Sequence, residues 1–261
     1  MKCKQLMFLT ATLVVACPVF GQFMGDGSKT SVVGSKHDLS ATATSGLDPA
    51  NVGQVTNAVA VCEFCHAPHK IPGMFNGVPT TATAPPLLWN VQVKTVSFAP
   101  YGNSPTFAGT DILPVEQAGP SNQAAYMSLL CLSCHDGSVT AASFYYTDVL
   151  GNVGTITPPN IGNSAGAGLA NDHPVNFTYG AALLTTVNGL AQPTEGASVR
   201  IPYVGKTTPL PLFKDTPTSP SGRVECATCH NPHDNSLNGG SYFLRMDNTT
   251  NKSGLCLNCH G

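Results

Sequence analysis

The chain has 261 residues, enough for one large domain or two modest ones. Only 10% of the residues are charged and the formal net charge is −2, which argues against the basic face that nucleic-acid binding requires. The 26 glycines and 21 prolines exceed the roughly 12% that these residues together make up in average proteins. The composition therefore predicts long loops, although a hydrophobic fraction of 42% is too high for a wholly disordered chain.

The N-terminus has the pattern of an export signal. Two lysines within the first four residues precede an apolar run over Leu6–Ala16, which is too short to span a bilayer. Cleavage after Gly21, which we favour, competes with a lipobox-like pattern that would leave Cys17 lipidated. We therefore expect residues 1–21 to be a signal peptide. The protein is expected outside the cell or at its surface, or alternatively in the periplasm or at the outer membrane.

Four Cys-x-x-Cys-His motifs account for every cysteine except Cys3 and Cys17. This pattern is the attachment signature of haem c, because two thiols form thioether bonds to one porphyrin and the adjacent histidine reaches the iron. Zinc ribbons and disulfides also use paired cysteines, but neither needs a histidine after every pair. The attachment residues are Cys62, Cys65, Cys131, Cys134, Cys226, Cys229, Cys256 and Cys259.

The chain has eight histidines, which matches two axial ligands for each of four haem irons. The motif histidines are His66, His135, His230 and His260, and the non-motif histidines are His37, His69, His173 and His233. Methionine is the competing sixth ligand, but no methionine beyond the signal stands in a distinctive setting. The count predicts four haem c groups with bis-histidine iron. We therefore expect an electron carrier and not an enzyme, since no iron position is left for a substrate.

Two motifs continue into a second histidine. His69 follows His66 by three residues, and His233 follows His230 in the same way, with a proline in each link. A link this short cannot reach the opposite face of the same haem, and the proline stiffens it. The second histidine of each pair is therefore predicted to ligate a different haem, which brings two porphyrin edges to roughly 4 Å.

The two halves of the chain repeat one order of ligands. Each half has a lone histidine, a Cys-x-x-Cys-His-x-Pro-His motif and a plain Cys-x-x-Cys-His motif, which indicates a diverged duplication. We expect a first dihaem half over residues 22–150 and a second over residues 151–261. The simplest assignment gives His69 to the second haem and His233 to the fourth, and the lone histidines to the first and third. Exchange of ligands between the halves is a further possibility.

Regular structure is predicted to be sparse. The patterns favour helices over residues 57–66, 123–135 and 253–260, strands over residues 91–98 and 175–179, and loops over residues 99–122 and 150–170. Buried porphyrins would replace the missing side-chain core. The predicted fold is a multihaem cytochrome c, mostly irregular coil with a few short helices and strands wrapped around four stacked haems.

The motifs have characteristic neighbours in both halves. They are Ser35–Asp38, Cys62–His69, Pro86–Asn90 and Leu130–Gly137 in the first half, and Asn171–Val175, Cys226–His233, Phe243–Arg245 and Leu255–His260 in the second. These segments resemble the doubled Cys-x-x-Cys-His family of cytochromes. Their combination is similar to the OmcE-like tetrahaem c-type cytochromes, which polymerise into extracellular filaments.

The resemblance implies that the protein carries electrons over long distances as an extracellular nanowire. It also implies that one axial histidine is donated across the subunit interface, and His37, on a polar N-terminal arm, is our candidate donor. Other redox proteins or extracellular acceptors would be its partners. Two alternatives are a monomeric periplasmic or outer-membrane-anchored tetrahaem carrier, and a haem enzyme subunit in which one non-motif histidine is not a ligand.

Overall fold

The computed structural model describes the chain in separate stretches. They are residues 32, 35–40, 61–67, 89–93, 97–99, 101, 112–115, 118, 122–145, 160–161, 168–170, 172–193, 200–201, 210–216, 218–234, 242–246, 248 and 253–260. The predicted signal peptide, Cys17 and His69 lie outside these described residues.

Helices and strands in the described stretches are few and short. The helices are α1 (Tyr126–His135), α2 (Ala181–Thr186), α3 (Cys226–Cys229) and α4 (Gly254–Leu257), with 3₁₀ turns at Val61–Phe64 and Ala141–Ser143. The strands are β1 (Phe177–Tyr179), β2 (Arg200–Ile201), β3 (Leu210–Pro211) and β4 (Gly222–Val224). None of the helices seen in these stretches has the length and apolar character needed to cross a membrane. The predominance of coil is compatible with a multihaem cytochrome.

The longest helix, α1, confirms the prediction made for residues 123–135. Its sequence has neither glycine nor proline, and most of its residues are buried, so tertiary packing stabilises it on more than one side. The helix ends at His135, and Gly137 follows with φ of 78°. Glycine adopts this left-handed conformation without the steric cost that a Cβ would add.

The other predicted elements are confirmed in shorter form or differ. Helix α4 lies within the predicted 253–260, and a 3₁₀ turn occupies the described end of the predicted 57–66. Strand β1 lies within the predicted 175–179 but begins only after Asn176, whose φ of 58° is incompatible with a strand. In the predicted strand 91–98, Val91 forms an isolated bridge, and the remaining described residues are coil.

The small antiparallel sheet of β1 and β4 organises the largest apolar cluster. Phe177 lies opposite Val224 and Tyr179 lies opposite Gly222, so alternate side chains of β1 point into the core. The buried cluster consists of Ile112, Phe177, Tyr179, Leu183, Leu210, Leu212, Val224 and Met246. Ile112 bridges to Phe177, so this core draws on residues from both halves of the chain.

A second cluster also joins the two halves. Helix α1 packs against α3, and Tyr126 and Met127 share a buried cluster with Phe213 and Ala227. A third cluster places Phe64 beside Val91 and Phe144. These contacts connect residues far apart in sequence. Packing of apolar side chains therefore holds the motif-bearing turns and helices against one another.

Gly222 is a position where packing permits no side chain. A Cβ there would lie 2.6 Å from the Cβ and 3.0 Å from the carbonyl carbon of Leu212, which is itself fully buried. We expect Gly222→Ala to lower the free energy of unfolding by about 1–3 kcal/mol, since an overpacked core must shift backbone. Denaturant unfolding would measure the loss. Thr218→Ala, at an exposed position before β4, is the control, and equal stability of both variants would contradict the packing argument.

Candidate haem-binding sites

Each motif forms a single helical turn. The first lies on the 3₁₀ turn Val61–Phe64, the second ends α1, and the third and fourth lie on α3 and α4. The histidine N–H bonds the carbonyl of the first cysteine at 2.8 Å for His66, 3.0 Å for His230 and 2.9 Å for His260. One turn therefore places the two thiols and the imidazole on the same side, because residues three and four apart share a helix face.

All eight motif thiols are free. Cys62 and Cys256 are exposed, and the other six are partly buried. Within the described stretches, no three side chains of the types His, Cys, Asp and Glu converge as a metal ion would require. The described residues thus contain neither a disulfide nor a cluster that would hold zinc. Two free thiols and an imidazole on one turn are what thioether attachment to a porphyrin needs.

The motifs lie next to one another in chain order. Burial raises the pKa of Cys65 to about 12, and the nearby thiol of Cys134 adds to the rise. The thiols of Cys131 and Cys226 lie close together, and their interaction raises the pKa of Cys131 and lowers that of Cys226. Burial also raises the pKa of Cys229 to about 12, and the Cys259 thiol is the next largest contributor to the rise. The first motif thus adjoins the second, the second the third, and the third the fourth.

Three motif histidines each lie opposite a non-motif histidine. The ring centroids are 6.0 Å apart for His66 and His233, 6.2 Å for His135 and His37, and 6.4 Å for His260 and His173. Two metal–nitrogen bonds of roughly 2 Å each, plus about 1 Å from each nitrogen to its ring centre, give about 6 Å. The pairs therefore have the separation that two imidazoles on opposite sides of one iron would need.

Backbone carbonyls orient several of these rings. The Nδ1 atoms of His173 and His230 lie 2.9 Å and 2.6 Å from the carbonyls of Pro174 and Tyr242, and the carbonyl of Pro232 lies near the His37 ring. For His173 and His230 the imidazole must donate, because a carbonyl only accepts. This leaves Nε2 free for a metal, which is the usual arrangement of a ligating histidine.

Burial lowers the pKa of His37, His173, His230 and His233, which favours the neutral form that binds a metal. Burial lowers the pKa of His37 to about 4, and the nearby imidazole of His135 adds to the effect. Burial likewise lowers the pKa of His233, with His66 contributing. Both rings are therefore suited to ligation and poorly suited to surface ion pairs.

The observed pairs differ from the simplest assignment of ligands. That assignment gave His233 to the fourth haem, but its ring lies beside the first motif, and His37 lies beside the second motif. The reason is the packing of α1 against α3, which mixes the two halves of the chain. The three described non-motif histidines are all taken by these pairs. His69, outside the described residues, is the remaining candidate for the iron next to His230.

Aromatic side chains support two of the histidine pairs. Phe243 stacks on His37 at 4.2 Å, with the ring planes 13° apart. Trp89 meets His66 edge-on at 5.8 Å and donates its indole N–H to Ser133 Oγ at 3.0 Å. Phe243 has φ of 53°, an uncommon left-handed conformation for a bulky residue that the sequence did not reveal.

Sequence reasoning also missed Glu225 and Ser128. Glu225 directly precedes the third motif and is fully buried, and its carboxylate accepts a hydrogen bond from Ser128 of α1. A glutamate beside a motif ordinarily indicates a solvated charge. The only feature of the sequence that bears on this burial is the low number of charged residues, and it does not indicate which carboxyl is buried.

The motifs indicate covalently bound haem c, and several such motifs in one chain support a multihaem c-type cytochrome that takes part in electron transfer. Residues 219–261 match the family model described as the doubled CXXCH motif. This segment contains the third and fourth motifs and supports the same class. No curated protein gave a significant match to the chain.

Removing both thiols of one motif tests covalent attachment. We expect Cys226→Ser with Cys229→Ser to lose one haem per chain, because a serine hydroxyl forms no thioether. Intact-protein mass and pyridine haemochrome absorbance would count the haems. Thr218→Ala, which changes an exposed residue outside the motifs, should keep the full number. An unchanged haem count in the double variant would contradict attachment at the third motif.

Proposed function

We propose that the protein carries electrons through four haem c groups, one at each motif, and that every iron has two histidine ligands. The observation that carries this proposal is the set of three opposed ring pairs at 6.0–6.4 Å. Each pair combines one motif histidine with one non-motif histidine. Chance packing of eight histidines would also produce motif–motif or unpaired arrangements, whereas axial ligation predicts this combination.

His69 is the proposed second ligand of the haem at His230. His233, three residues after His230, pairs with His66 of the first motif. By the same logic His69, three residues after His66, would return to the third motif. Two short His-x-Pro-His segments would then exchange ligands, which holds the first and third irons close together. Close haems are what rapid electron transfer requires.

Four bis-histidine irons leave no position for a substrate. The protein is therefore proposed to be an electron carrier and not an enzyme. The enzyme alternative needs one non-motif histidine to be free, and His69 is the only one of the four whose ring the structure does not describe. A carbon-monoxide-binding haem in the native protein would favour that alternative.

We further propose that the protein is exported and polymerises into an OmcE-like filament. The support is the sequence resemblance together with the docking of residues 35–40. In this segment Ser35, Asp38 and Ser40 are buried, and Lys36 lies over the Tyr242 ring. The His37 ring lies beside His135 of its own chain. In a filament, His37 of one copy would instead lie beside His135 of the next copy, so that the same contact forms between chains, as in domain swapping. Its interchain role stays a prediction.

The assignment of His233 to the first haem can be tested by subtraction. We expect His233→Ala to give one high-spin, carbon-monoxide-binding haem per chain, because one iron loses its sixth ligand. The same substitution should be silent in a Cys62→Ser, Cys65→Ser background, where the first haem is absent. Electron paramagnetic resonance and carbon monoxide titration would count the open irons.

A matched experiment uses the fourth haem. His173→Ala should open one iron in the Cys62→Ser, Cys65→Ser background and none in a Cys256→Ser, Cys259→Ser background. An open iron from His233→Ala that persists without the first haem would contradict the pairing with His66. Low-spin spectra for every variant would contradict bis-histidine ligation as a whole.

Polymerisation is tested by cryo-electron microscopy of material sheared from cells that produce the protein. We expect ordered filaments containing one continuous chain of haems. His37→Ala should abolish filaments if His37 is the interchain ligand, whereas His173→Ala should open one iron and leave filaments intact. Fully haem-loaded monomers alone would support the periplasmic or membrane-anchored carrier. Filaments of His37→Ala with four low-spin irons would eliminate the interchain role of His37.

A further inference from the structure

A buried carboxyl lies between the second and third motifs. Glu225 is 1% exposed. Its Oε2 accepts a hydrogen bond from Ser128 Oγ at 2.5 Å, and its Oε1 has no hydrogen-bond partner among the residues that the structure describes. A buried carboxylate normally needs several donors to balance its lost hydration. Glu225 is also the N-cap residue of α3 and forms a capping box with Thr228. Burial therefore favours its neutral form, whereas its place at the start of a helix favours the carboxylate.

Ser128 connects this carboxyl to both haem attachment sites. It lies on α1, three residues before Cys131, and its Oγ also accepts the N–H of Cys226 at 3.0 Å. The thiols of Cys131 and Cys226 are close enough to affect each other's pKa. Glu225 therefore lies where the thioether-forming residues of the second and third motifs meet.

The groups around Glu225 partly cancel in charge. Arg223 favours the carboxylate form, but its Nε bonds Asp215 Oδ2 at 2.7 Å and its Nη1 bonds the Asn176 carbonyl at 3.2 Å. Asp215 opposes the carboxylate, and the hydrogen bond from Ser128 stabilises it. Burial is the largest effect and raises the pKa of Glu225 well above its ordinary value.

We propose that Glu225 is a proton-uptake site coupled to reduction of the haems attached at the second and third motifs. This inference rests on the proposed function. A redox partner would supply one electron to a haem held at either motif, and water would supply the proton that converts the Glu225 carboxylate to the carboxylic acid. Because that electron would remove one positive charge from the neighbourhood of Glu225, the carboxylate would lose Coulombic stabilisation and the acid would become the favoured form.

The sign of the pH dependence follows from linkage. At higher pH Glu225 is ionised and stabilises the ferric state, so the midpoint potential of the neighbouring haem falls. The midpoint potential falls by at most about 59 mV per pH unit when one proton accompanies one electron, because a tenfold change in an equilibrium constant corresponds to 59 mV for a one-electron couple. The dependence is confined to pH values between the pKa of Glu225 beside ferric haem and its pKa beside ferrous haem. At lower pH Glu225 is protonated in both redox states, and the midpoint potential no longer changes with pH.

The test is a spectroelectrochemical titration of the fully haem-loaded protein at several pH values. We expect at least one haem with a pH-dependent potential in the wild type, and loss of that dependence in Glu225→Gln. Glutamine is similar in shape to the protonated acid but does not titrate. Glu63→Gln is the matched control, because Glu63 also lies beside an attachment cysteine but is partly exposed. It should keep the wild-type slope.

A second measurement needs no variant. The redox difference infrared spectrum of the wild type should gain the C=O band of a protonated carboxylic acid on reduction, and the band should shift in D₂O. Unchanged pH dependence in Glu225→Gln, a pH-independent wild type, or absence of this band would overturn the proposal while leaving haem-based electron transfer intact. A chain without covalent haem would instead overturn the proposed function, and this inference with it.

Discussion

The separation of about 6 Å between paired imidazole rings is the constraint on which the proposed architecture depends. Each pair joins residues far apart in the chain: His37 to His135, His66 to His233, and His173 to His260. An iron between two such rings would close loops of roughly 90 to 170 residues, and closing a long loop removes much conformational freedom from the unfolded chain. Metal ligation can therefore organise a chain whose described helices and strands are so short.

Side-chain packing decides which histidines meet. Helix α1 contacts α3, and Ser128 bonds both Glu225 and the Cys226 backbone. These contacts bring the third motif against the second and carry His233 to the first. The repeated ligand order gives no information about this arrangement. Ligand exchange between the halves is thus a property of tertiary packing.

The attachment residues were predictable because porphyrin chemistry fixes the spacing of two cysteines and a histidine. Helix α1 was predictable because its apolar run contains no glycine or proline. The pairing of His233 with His66 was not predictable, since it depends on contacts between residues more than 100 positions apart in the chain. Phe243 and Glu225 were also missed, because neither a left-handed backbone nor the burial of a single carboxyl leaves a local sequence pattern.

The position of Glu225 matters because of the order of the motifs. The second and third motifs are in the middle of the series established by the neighbouring thiols. A proton-dependent potential at one end would affect only exchange with a partner on that side. At the centre it would alter the energy of every electron that crosses between the two ends. The hydrogen bonds of Ser128 to Glu225 and to the Cys226 backbone would then also determine how electron transfer along the series of haems depends on pH.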